Sequence, residues 1–226
     1  MTRIGLIGGL SWESTAAYYR LLNQLTAQRR GAWQQPQVLI DSVNFADIVQ
    51  FQLEGNWAAT GEILAQSARR LESGGAEVLG ISANTMHMNY DDVRRAVSIP
   101  VVDVRDAVAA RVRALGHESI SLLGTKYLTE SDFYSSALER EGIRVIKPTP
   151  EQSEELQRII YEELTQGVVT ESSRGRFMEI ADGCRTRGGD VVGLCCTEFG
   201  LLVDESNAPW PFVDSTIAHV EALLNS

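Results

Sequence analysis

Short apolar runs alternate along the chain with longer stretches in which apolar positions recur three or four residues apart. The short runs lie at 4–7, 38–43, 78–81, 101–104, 120–123, 145–146, 191–194 and 212–213. They are rich in Ile, Leu and Val and predict buried strands. The longer stretches lie at 14–28, 57–73, 90–97, 106–115, 132–141, 150–166 and 172–187 and predict helices. The punctuation agrees. Gly8 and Gly9 close the first strand, Ser11 or Ser14 is placed to cap the first helix, and Gly74 and Gly75 end the helix 57–73. Helix 90–97 ends before Pro100, and helix 106–115 stops at Gly116. Strands alternating with helices predict a mostly parallel sheet covered on both faces, the α/β class.

The pattern restarts near residue 119. Gly-Ala-Glu-Val-Leu-Gly at 75–80 matches Gly-Gly-Asp-Val-Val-Gly at 188–193, and the offset of 113 persists to positions 83 and 196. Arg-Ile-Gly-Leu-Ile-Gly at 3–8 resembles Ser-Ile-Ser-Leu-Leu-Gly at 119–124, and Ile-Pro-Val-Val-Asp at 99–103 resembles Trp-Pro-Phe-Val-Asp at 210–214. Three matches in one order predict two duplicated, pseudo-symmetric α/β lobes, 1–104 and 105–226, with the C-terminal helix free to pack on the first. Units this long are not solenoid repeats. Ligands of open α/β units sit beyond the carboxyl ends of the strands. The duplicated strand ends, 82–85 and 195–198, are therefore expected to line one cleft between the lobes.

Composition narrows the function classes. The 226 residues are 44% hydrophobic and 22% charged, as in ordinary globular proteins. A net charge of −10 opposes binding to a phosphate backbone, so no nucleic-acid partner is expected. Cys184, Cys195 and Cys196 are odd in number and lack framework spacing, which predicts a reducing, cytoplasmic setting. Without C-x-x-C or clustered histidines, no metal is expected. The N-terminus shows no signal-peptide pattern, and no apolar stretch reaches membrane-spanning length, so no membrane association is expected. Gly8 and Gly9 lack the G-x-G-x-x-G context of a nucleotide loop.

Cys196 is the candidate chemical centre. It ends an apolar strand before Thr197 and Glu198, where a helix N-terminus would favour the thiolate. An inert core cysteine is the commoner fate of such a residue. Neighbours on an extended segment point oppositely, so only one of Cys195 and Cys196 can face a ligand.

Several segments together carry a resemblance. They are Ile-Gly-Leu-Ile-Gly-Gly at 4–9, Ser-Trp-Glu-Ser-Thr at 11–15, Ala-Asn-Thr-Met-His at 83–87, Leu-Gly-Thr at 123–125, Cys-Thr-Glu at 196–198 and the closing 212–219. In this order, over nearly the whole chain, they resemble the aspartate/glutamate racemase family. The resemblance implies a two-lobed fold and amino-acid racemisation without pyridoxal phosphate or any other cofactor. It also implies a small carboxylate or amino-acid substrate and a homodimer. Members of that family are similar in using one cysteine on each face of the substrate, one removing the α-proton and the other returning a proton. Leu10, Ser11, Gln52, Asn84, Thr85, Thr125, Thr197 and Glu198 are then the expected substrate-binding residues. Asn and Thr at these places also suit plain capping. Trp12 either walls the site or packs, and Glu198 either orients the thiol or favours a helix N-terminus by its charge.

The chain departs from the pattern at the first thiol, where Ala83 stands. Alanine carries no proton. Ser82, Thr85, His87 or a bound water is a candidate second acid. Single-cysteine decarboxylation, cis–trans isomerisation and ligand binding without turnover remain open as alternatives. Lys126 and Arg105 are candidates for recognising a side-chain carboxylate.

Overall fold

A computed structural model describes residues 2–226. The chain divides into two compact units, one of residues 1–104 with 219–226 and the other of residues 105–218.

In the first unit, β1 (Ile4–Gly8) leads into α1 (Trp12–Arg30), β2 (Val38–Ser42), α2 (Phe45–Leu53), α3 (Trp57–Ser73) and β3 (Val78–Ile81). A 3-10 turn, Thr85–Asn89, then runs into α4 (Tyr90–Ala96), followed by β4 (Val101–Val102). The sheet order is β2-β1-β3-β4, all parallel, with Ile4 opposite both Val38 and Val78. Alternation along β1 decides which helices cover which face. Ile4 and Leu6 pack with Tyr18 and Leu22 of α1, and Ile7 packs with Leu64, Ala68 and Leu71 of α3. Full burial of each such side chain is worth about 1.5–3 kcal/mol.

Gly9 has structural reasons to be glycine. Its φ is +74°, and a Cβ there would lie 2.2 Å from the Val43 carbonyl oxygen. That backbone collision explains the residue without a phosphate ligand.

The second unit opens with α5 (Val104–Ala114), which begins at the last residue of the first. It continues with β5 (Ser119–Leu123), α6 (Lys126–Thr129), α7 (Ser135–Arg140), β6 (Arg144–Ile146) and α8 (Pro150–Arg158). A π-helical turn (Ile159–Glu163) and a 3-10 turn (Leu164–Gln166) precede α9 (Glu171–Thr186), β7 (Val191–Leu194), a 3-10 turn (Thr197–Leu201), β8 (Phe212–Asp214) and α10 (Ser215–Leu224). Its sheet order, β6-β5-β7-β8, is again all parallel and repeats that of the first unit. The core joins Val192 and Leu194 of β7 to Leu156, Ile160, Phe177 and Ile180. The unit boundary after Ala218 falls within α10, whose residues Val220 and Leu223 pack with Ile4 and Tyr18.

Some expected elements change on folding. The strand 101–104 shrinks to Val101–Val102, because α5 starts at Val104. The helix 132–141 is reduced to Ser135–Arg140. The helix 150–166 keeps α geometry only to Arg158 and ends at Gly167, whose left-handed φ of 72° suits glycine alone. Two helices escape the periodic pattern. The nine-residue α2 is capped by Asn44, and α6 has four residues.

Candidate functional site

The second unit presents its site at the ends of β5 and β7. Alternation along β7 places Cys196 with Val192 and Leu194, against the α8–α9 core. Cys195 takes the other face, is 1% exposed and bonds through its thiol to Tyr134. Burial lifts the Cys195 thiol to about 12, so it stays protonated and inert.

Cys196, 9% exposed, donates from Sγ to Glu198 Oε2 at 3.0 Å, and Thr197 Oγ1 donates to the same oxygen at 2.7 Å. Burial pushes the Cys196 thiol well above its ordinary range, and the Glu198 charge pushes the same way. The Glu198 backbone N–H pulls in the opposite direction, as an amide at a helical start should, but is outweighed. Desolvation outweighs what one turn of 3-10 helix supplies, so this environment favours the protonated thiol over the thiolate that a helix start alone would favour.

Tyr161 also belongs to this neighbourhood, and sequence reasoning passed over it. It sits in the π-helical turn, packs on the cluster that holds Cys196 and senses the charges of Tyr127, Cys196 and Glu198. Burial keeps its phenol protonated. The one available signal was an aromatic at 161 directly after the apolar pair Ile159 and Ile160. Gln157 bonds to Tyr161 and accepts from the Lys126 amide at 3.0 Å, which links Tyr161 to the β5 end where Thr125 starts α6. Thr125 is buried and Thr197 half-buried.

In the first unit the ends of β1 and β3 come together. Leu10 and Met86 share one core cluster, Ala83 packs on it, and Gln52 Nε2 donates to Met86 Sδ at 3.1 Å. Gln52 is thus a buried side chain and not a surface one. Ser11 caps α1 by accepting from the Ser14 amide at 3.4 Å, in a backbone conformation with φ 119°. Asn84 is buried, and Thr85 and Ala83 are half-buried. Trp12 is 69% exposed.

Two of the suggested second acids are already engaged. Ser82 Oγ donates to the Ile7 carbonyl at 2.9 Å. His87 Nδ1 meets the Ala83 carbonyl at 2.8 Å, and its Nε2 accepts from the Val104 amide at 3.2 Å. The two candidate cations are engaged as well. Lys126 pairs with Glu154 at 3.1 Å. Arg105 donates to the Phe133 carbonyl at 3.1 Å and lies 6.0 Å from the centre of that residue's ring. Among the described residues, no three metal-type side chains gather, the three cysteines are free, and no helix is long and apolar enough to cross a membrane.

Comparison with known proteins bears on this arrangement. The profile of the Asp/Glu/Hydantoin racemase family matches residues 7–223. A candidate Asp/Glu racemase from Yersinia pestis superposes with a TM-score of 0.91 at 38% identity, covering 100% of this chain and 98% of that one. An aspartate racemase homologue from Pyrococcus horikoshii does so with a TM-score of 0.87 at 35% identity, over 100% and 98%. The broad specificity amino-acid racemase of Bacillus subtilis is 20% identical over 163 residues, 72% of this chain and 70% of its own. With matches spanning both units, the chain belongs to the Asp/Glu/Hydantoin racemase family.

Proposed function

We propose that the protein is a cofactor-independent amino-acid racemase whose acid/base group on one face of the substrate α-carbon is Cys196. The observation that carries this reading is the Cys196–Glu198 hydrogen bond at the carboxyl end of β7 in a chain of this family. Glu198 is placed to take the thiol proton, leaving a thiolate that can remove the α-proton. Run in reverse, the thiol returns a proton to the carbanion. The developing enediolate needs hydrogen-bond donors and exclusion of water. Thr125, Thr197 and the protonated Tyr161 phenol, in the same unit as Cys196, suit that task.

Ala83 occupies the position of the second thiol. Thr85 or a water molecule is the proposed source of the opposite-face proton; Ser82 and His87 bond to backbone groups. The same observation favours a second reading, in which Cys196 performs one-face chemistry such as decarboxylation of a small dicarboxylate. A homodimer in the cytoplasm is the proposed setting.

Proton NMR in D2O tests the choice, using each enantiomer of aspartate, glutamate and several neutral amino acids. Loss of the α-proton with inversion supports racemisation. Exchange without inversion supports chemistry on one face alone, and no exchange with any of them removes racemisation of these amino acids and shifts the reading to decarboxylation of a small dicarboxylate.

A further inference from the structure

The first unit holds two buried histidines that the reaction above does not use. His87 is 1% exposed and His219 fully buried, and their rings meet edge to face at 5.4 Å. The partners of each ring fix its proton. A carbonyl only accepts, so the 2.8 Å contact with the Ala83 oxygen puts the His87 proton on Nδ1. The Val104 amide then donates to the bare Nε2. His219 has the opposite tautomer. Its Nε2 carries the proton toward the Val102 carbonyl at 3.0 Å, and its Nδ1 accepts from the Tyr18 hydroxyl at 2.9 Å.

The partners are placed with a pattern. Val104 is the last residue of the first unit before the chain crosses to the second, and His219 is the first residue after it crosses back. One histidine therefore grips the outgoing crossing by its backbone amide, and the other is itself the start of the returning one. The same His87 ring holds the carbonyl of Ala83, where β3 delivers the chain to the site.

We propose that His87 is a positioning residue, and that with His219 it clamps the Ala83 end of β3 to both chain crossings. With one donor and one acceptor the ring ties Ala83, four residues before it, to Val104, seventeen residues after it. Adding a proton at Nε2 would set N–H against the Val104 N–H and break the clamp. The ring therefore cannot double as the missing proton donor without releasing the loop it holds.

Nitrogen-15 NMR of the ring nitrogens reads the clamp directly in the intact protein. Neutral His87 with its proton on Nδ1, and neutral His219 with its proton on Nε2, are expected at pH 7; the reverse tautomer of His87 overturns the proposal. Two variants separate positioning from proton transfer. His87→Gln keeps one donor and one acceptor but transfers no proton, whereas His87→Phe keeps only the ring. The kinetic arm rests on the α-carbon chemistry proposed above. There, kcat for α-proton exchange should fall about 100-fold in the Phe variant and recover to within about 10-fold of the parent in the Gln variant. Equal loss in both would make the ring a proton donor, and unchanged kcat in the Phe variant would remove its positioning role. If the parent protein exchanges no substrate, the functional reading fails, yet the clamp is still judged. Hydrogen exchange at the Val104 amide should quicken at least about 10-fold in the Phe variant and not in the Gln variant. Unaltered exchange in His87→Phe overturns the clamp.

Discussion

Cys196 Sγ lies 3.0 Å from Glu198 Oε2, and the two side chains are both buried. A carboxylate this close, in a site that already disfavours charge, opposes thiolate formation until something else takes up the charge. Glu198→Gln should therefore lower the thiol pKa while leaving it above the ordinary cysteine range, since burial persists. Thiolate absorbance near 240 nm against pH checks this; an unchanged or higher pKa would refute it.

Cys196→Ser should reduce α-proton exchange by about 100- to 10,000-fold, the usual worth of a positioned acid/base group. The swap is nearly isosteric, so far-ultraviolet circular dichroism should match the parent. Retained exchange would remove Cys196 from the chemistry.

Ala83→Cys supplies a thiol at the position proposed above for the second acid. Ala83 is half-buried on the edge of its core cluster, so one added sulfur is tolerable there. The ratio of inversion to exchange should rise several-fold, measured by chiral chromatography beside the NMR assay. No rise would mean that the opposite face is already served.

Burial first, and then its neighbour His87, hold the His219 pKa down to about 3 from an ordinary 6.5. The groups facing it are Tyr18 from α1, His87 from the 3-10 turn and Asp103 beyond β4, the last acting weakly in the opposite sense. A depressed histidine pKa favours the neutral folded form. This contribution is complete above pH 6.5 and shrinks as pH falls toward 3, by about 1.4 kcal/mol per pH unit. Urea titrations across that window should show the decline, and His219→Asn should flatten it.

Ser11 is the one non-glycine residue with positive φ among those described. Such backbone costs about 1–3 kcal/mol, whereas glycine at an N-cap gives up only a few tenths. Ser11→Gly should thus raise stability by about 1 kcal/mol in thermal unfolding and weaken substrate binding if the hydroxyl contacts it.

The eight strands of the described residues were legible as short runs rich in Ile, Leu and Val, with glycine in or just after the buried β1, β3, β5 and β7. The short α2 and α6 were not, since neither is long enough to show a period. The helix 150–166 failed at Arg158 for a different reason. A π-helical turn changes the hydrogen-bond ladder without changing the hydrophobic pattern that a sequence displays. At the site, Cys196 and its Glu198 neighbour were readable from their adjacency, but the protonation state of the thiol was not, because it depends on burial by α8 and α9. The role of His87 was hidden too, since both its partners are backbone atoms, one of them seventeen residues away.

The two sheets follow one strand order, β2-β1-β3-β4 and β6-β5-β7-β8. Position 83 and position 196 each lie two residues beyond the end of the third strand of their unit, β3 and β7, and carry a methyl group and a thiol. Exchanging residues between these counterparts therefore offers an internal control that a protein without such a twin lacks, because the same strand order surrounds each of them.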